Sequence, residues 1–262
     1  MVSIASIMSM CLTLVICFLV PLILLWIIRR RYHVSFKSFF IGMIVFIIAT
    51  QVLEAIGHLY FLVKNPTTAN WLTNPLLYAL YGGLMAGIFE ETGRYISFKW
   101  FLKKENRIQE SISYGIGHGG IEAMLIVGTT YVNNLVISLL INQGMLEQLG
   151  VTAESESSII TQLTQLSPMI FSLAGYERLM TMVIQMGVSV LVFKAVRERT
   201  IYYYIGAILL HALLDFPAVL VQLGIFNVFV CEGIITLFAL GFLIYIIKQL
   251  KKYHNDMIVL EQ

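Results

Sequence analysis

Residues 4–28 run without one charged side chain. At about 1.5 Å of helical rise per residue, such a run spans the roughly 30 Å hydrocarbon core of a bilayer. Comparable apolar runs recur at 38–63, 76–98, 110–141, 169–193, 201–223 and 225–247. Each is too long for a membrane β-strand of about 10 residues, and a helix satisfies its backbone hydrogen bonds within the segment, as lipid requires. The chain is 58% hydrophobic and 12% charged, against roughly 25% charged in soluble domains. It lacks the polar side chains to cover a water-facing surface. The expectation is an all-α polytopic membrane helix bundle of about seven transmembrane helices, a single integral membrane domain over 1–262, set in a cell membrane of the bacterial plasma-membrane kind.

The basic residues fix an orientation. Fourteen of the 17 Lys and Arg fall after the first, third, fifth and seventh runs, as Arg29, Arg30, Arg31, Lys37, Lys99, Lys103, Lys104, Arg107, Lys194, Arg197, Arg199, Lys248, Lys251 and Lys252. The positive-inside rule then predicts the N-terminus outside and the C-terminus in the cytoplasm. The first run exceeds the 7–15 residues of a signal-peptide core and its basic residues follow it, so it reads as an uncleaved anchor. A net charge of +2 follows from this topology and gives no reason to expect nucleic acid. Cys11, Cys17 and Cys231 lie inside apolar runs and read as packing residues. The sizeable polar segment, about 143–168, is expected outside; it carries Glu147, Glu154 and Glu156 and could lie partly as an amphipathic helix on the outer face. With no soluble catalytic domain and no internal repeat in view, function must reside within the bundle or at its rims, with lipid as one partner.

Ionisable residues inside membrane helices cost about 2.5–3.5 kcal/mol each on insertion scales and mark function by default. Here they are Glu54, His58, Glu90, Glu91, Arg94, His118, Glu122, Glu177, Arg178, His211, Asp215 and Glu232. Counting from the basic residues estimates depth. Glu90 is nine residues from Lys99, His118 eleven from Arg107 and His211 twelve from Arg199, which puts all three roughly 14–18 Å in. Glu90/Arg94, His118/Glu122 and His211/Asp215 are each spaced i,i+4 and share a helix face. Glu91 is rotated by about 100° from Glu90 and is free to serve another partner. Four glycines at 115–120 around His118 let a neighbouring backbone approach closely.

Two chemistries suit such a layer. Glu90 could take a proton from water while His118 and His211 orient it or stabilise an oxyanion. Alternatively, His118, Glu122, His211 and Asp215 could hold zinc with water in an open position, although no HEXXH is present. A proton- or ion-coupled transporter uses the same residue types, but paired broken repeats are not evident; a non-catalytic membrane binding protein is a third reading. Taken singly, Glu90/Arg94 also reads as an intrahelical ion pair and His118 as an interhelical hydrogen-bond donor. Glu177/Arg178 reads as a packing clamp or as a neutraliser of a site carboxylate. Glu54, His58 and Glu232 read as bundle or rim polar residues, Tyr202, Tyr203 and Tyr204 as an interfacial belt, and Pro217 as a kink beside Asp215.

The stretch "EETGR" at 90–94 resembles the EExxxR motif of the CAAX prenyl endopeptidase and bacteriocin-processing family, one residue shorter between Glu90 and Arg94. His118 and "HALLD" at 211–215 are similar to that family's later motifs. "GHGGIEA", with Glu122, resembles more specifically the YhfC group of membrane peptidases, and the ordered set also resembles PrsW-type site-one proteases. The resemblance covers the third to sixth spans. It implies an intramembrane endopeptidase acting on a membrane-embedded or membrane-associated peptide. It further implies Glu90 as the water-activating residue, Glu91 and Arg94 supporting it, His118 and His211 positioning water or substrate, and Asp215 standing where the larger family has Asn or Asp. Glu122 departs from the prenyl-endopeptidase pattern.

Overall fold

A computed structural model describes residues 1–146 and 153–260. The element order is α1 (Ile4–Tyr32), α2 (Phe36–Lys64), α3 (Pro66–Trp71), α4 (Pro75–Ile96), α5 (Ile108–Gln143), α6 (Ala153–Gln165), α7 (Pro168–Arg197), α8 (Ile201–Gln222) and α9 (Val228–Leu260). No strand occurs among the described residues. Among the described residues, six helices are long and apolar enough to cross a membrane: α1, α2, α5, α7, α8 and α9, the last over Val228–Lys252. The expected third span is α4. Its 22 residues give sufficient length, and Glu90, Glu91 and Arg94 are what lower its apolar character. Glu147 and residues 147–152 lie outside the described residues; the rest of the polar segment contains α6.

Local chemistry sets the helix starts. Ser35 caps α2 by accepting from the Lys37 amide, while Asn65 and Asn74 cap α3 and α4, each followed by proline at the first helical position. The C-terminal end of α4 widens into a π turn over Ser97–Phe101. Its freed carbonyls are satisfied from α7, where Arg197 donates to Phe98 O at 3.1 Å and to Leu102 O at 2.7 Å. α8 continues through Pro217 to Gln222.

Internal contacts divide the chain into two compact units, Met1–Ile23 with Glu122–Leu179, and Leu24–Ile121 with Met180–Gln262. The first has a small core of Val2, Met10, Tyr131, Leu163 and Phe171. In it the buried Thr13 hydroxyl donates to Phe171 O at 2.7 Å. The second holds the larger core, in which Phe39, Phe98, Tyr114, Ile116, Val190 and Phe193 pack together.

Glycines decide how closely the helices of the second unit approach. Gly83 and Gly87, spaced as GxxxG on α4, face α8; a Cβ on either would come within 2.5 Å of Ala212 O or 2.7 Å of Ile208 O. Only hydrogen at those Cα atoms permits this backbone approach. In α5, a Cβ at Gly117 would meet Phe39 O of α2 at 2.0 Å, and one at Gly115 would meet Met186 of α7 at 2.5 Å. The expected close approach around His118 is present on both sides of the helix.

Candidate active site

The α4–α8 approach carries Glu90 and Glu91 up to His211. Three helices of the second unit then supply one polar cluster. Glu90 Oε2 lies 2.7 Å from His118 Nε2, within hydrogen-bond distance, and 3.7 Å from His211 Nε2. On its other side, His211 Nδ1 donates to Glu91 Oε1 at 2.8 Å, and its Nε2 lies 3.5 Å from Asp215 Oδ2. Glu90, Glu91, Arg94, His118 and His211 are all buried, whereas the Asp215 side chain is 37% exposed. Asp215 is therefore the open edge of the cluster. The three residues expected at one depth are brought together around a single carboxylate oxygen.

Arg94 has a different partner from the one its spacing predicted. Its Nε lies 3.5 Å from Glu91 Oε2, an i,i+3 pair with both side chains fully buried. Its two Nη atoms donate to the main-chain and side-chain oxygens of Gln185 on α7, at 3.3 and 2.5 Å. Gln185, 5% exposed, was not singled out by the sequence. The same depth count would have found it: it lies nine residues from Lys194, as Glu90 lies nine from Lys99.

The imidazole of His118 is held from two sides. The Phe46 ring meets it edge-on at 5.1 Å and the Tyr114 ring stacks at 6.0 Å. Tyr114 also lies under the Arg94 guanidinium, 5.8 Å from ring centroid to Cζ. With its ring immobilised, His118 presents Nε2 in one direction only, toward Glu90.

The hydrogen bond to Glu91 fixes the His211 tautomer. A carboxylate only accepts, so a proton sits on Nδ1, and the neutral form of the ring would present its Nε2 lone pair to the site. That lone pair faces two carboxylate oxygens at 3.5 and 3.7 Å, separations beyond a good hydrogen bond. Donors sharing a four-coordinate zinc at 2.0–2.1 Å stand roughly 3.3 Å apart. Imidazole nitrogens and carboxylates with a histidine oriented from behind by Glu91 form a donor set that fits such an ion.

Glu122 lies one turn beyond His118 on α5; in the first unit its Oε1 accepts from Arg178 Nη1 at 2.8 Å, and Arg178 also pairs with Glu177. Glu54 and His58 pair on α2 at 3.3 Å, and the Tyr81 hydroxyl of α4 bonds His58 Nδ1 at 2.8 Å.

A family described as YhfC intramembrane metalloprotease matches residues 16–235. The "Uncharacterized membrane protein YhfC" of Bacillus subtilis (strain 168) is 39% identical over 228 residues, 86% of this chain and 88% of that protein. No solved structure matches. The match runs through all the helices that build the Glu90, His118 and His211 cluster, and by it the chain belongs to the YhfC intramembrane metalloprotease family.

Proposed function

We propose that this chain hydrolyses a peptide bond of a membrane-embedded or membrane-anchored substrate, with Glu90 accepting the proton of the attacking water. The observation that carries this reading is the convergence of His118 Nε2 and His211 Nε2 on Glu90 Oε2, at 2.7 and 3.7 Å. The imidazoles of His118 and His211, with a carboxylate of the same cluster, would hold zinc, which when bound lowers the pKa of its water and polarises the scissile carbonyl. Glu91 keeps His211 in the tautomer whose Nε2 faces the site. Glu90 takes one proton from water as its oxygen attacks the carbonyl carbon. As the C–N bond breaks, Glu90 returns that proton to the leaving nitrogen, so protons balance over the cycle. The burial of Glu90 and His118 keeps bulk water out, while substrate and water enter past Asp215.

The test compares membranes from cells expressing wild type or Glu90→Gln, with new protein N-termini read by mass spectrometry. We expect N-termini in or beside apolar segments that form with wild type and disappear with the variant at equal expression. Identical sets would remove the reading. Metal content of the purified proteins assigns the roles. Zinc kept in Glu90→Gln and lost in His118→Ala/His211→Ala agrees with Glu90 as base; zinc lost in Glu90→Gln would make Glu90 a ligand.

A further inference from the structure

Arg94 and Glu90 have the spacing of an ion pair, yet the guanidinium Nε turns to Glu91 and both Nη atoms turn to Gln185. The direction of the Gln185 amide follows from this. Arginine has donors and no acceptor, so the atom facing Arg94 must be the amide oxygen. The amide nitrogen then carries its two protons away from Arg94. One turn before Arg94 on α4, the carboxylate of Glu90 is the acceptor assigned to those protons. Every link now runs from donor to acceptor.

Room for this arrangement comes from the glycine beside the catalytic histidine. A Cβ at Gly119 would lie 3.2 Å from Gln185 Cβ and 3.3 Å from its Cγ. Any side chain there would press Gln185 away by a few tenths of an ångström. The Arg94 fork on the main-chain and side-chain oxygens of one residue leaves the glutamine a single rotamer. Gln185 is thus fixed at its backbone, at its amide oxygen and along its stem.

We propose that Gln185 is a positioning residue for peptide hydrolysis, relaying the Arg94 guanidinium to Glu90 and holding the Glu90 carboxylate with Oε2 toward the two imidazoles. Arg94 then serves both glutamates, Glu91 directly and Glu90 through Gln185. This rests on Glu90 being the proton acceptor, but the contact itself is tested without activity. A simple structural role for Gln185, as an acceptor for Arg94, makes a different prediction.

Gln185→Glu separates the two. The new carboxylate keeps the shape and the acceptor for Arg94 but has no proton to offer Glu90. We expect a folded protein whose formation of the wild-type N-termini in membranes falls about 10–100-fold, the usual range for losing a residue that orients a reactive group. Gly119→Ala, which keeps both side chains but presses Gln185 aside, should lower it in the same direction. Wild-type cleavage by Gln185→Glu would overturn the proposal.

A second measurement, Tm of purified protein in detergent, covers a variant that folds poorly and is independent of cleavage. Glu90→Gln with Gln185→Glu exchanges donor and acceptor, so the amide at 90 donates to the carboxylate at 185. We expect the double variant to melt above Gln185→Glu alone. If the two Tm shifts only add, Gln185 and Glu90 are not coupled and the relay is wrong, whatever the fate of Glu90 as base.

Discussion

His211 Nδ1 donates to Glu91 Oε1 at 2.8 Å, joining α8 to α4 at the centre of the second unit. The contact places a fully buried carboxylate behind an imidazole whose far nitrogen faces Glu90 and Asp215. Glu91 is itself compensated by Arg94. Adjacent in sequence, Glu90 and Glu91 point to opposite ends of the same histidine, because consecutive helical residues are turned about 100° apart.

Glu91→Ala should destabilise the protein by about 3–5 kcal/mol, the cost of leaving a buried charge without its partner. Thermal melting in detergent reads this as a large fall in Tm. Glu91→Leu combined with Arg94→Met should melt above Glu91→Ala, because the combination buries no unpaired charge. The reverse order would show that the Glu91–Arg94 attraction does not stabilise the site.

Removal of metal by a chelator should abolish cleavage in wild type, and added zinc should restore it. Glu91→Gln keeps an oxygen for His211 but loses the charge behind it. Zinc affinity should then fall about 10–100-fold, measured by competition with a chromogenic chelator. Unchanged affinity would mean that Glu91 does not tune His211.

Gly87→Val should separate α4 from α8, since the obstacle is the Ile208 carbonyl of the backbone at 2.7 Å and not a side chain that can turn away. We expect a loss of about 1–3 kcal/mol, visible in Tm and in the fraction of monodisperse protein. Gly206→Ala on α8, with nothing within 4 Å of the added carbon, is the control and should melt near wild type. Equal behaviour of the two variants would discount the close approach.

In the first unit, Arg178→Leu should cost about 3–5 kcal/mol by leaving Glu122 and Glu177 without their shared cation. Adding Glu122→Gln should recover part of the loss. A Tm insensitive to Arg178→Leu would show that this pairing contributes little.

The membrane-helix class of this chain and the band in which its site lies follow from the sequence alone. Apolar runs of this length must be helical in lipid, because no water is present to hydrogen-bond an open backbone. Basic residues at the rims give each polar residue a depth, so Glu90, His118 and His211 could be matched across three helices before any packing was known. Gln185 obeys the same count, but a neutral amide lacks the cost that draws attention to a buried charge. Only the tertiary structure decided the pairings. Spacing allowed Arg94 to face Glu90 or Glu91, since i,i+4 and i,i+3 are both neighbours on a helix. The choice was made by what α7 and α8 present there, namely Gln185 and His211, and by the glycines at 83 and 87 that let α8 come close enough to present it.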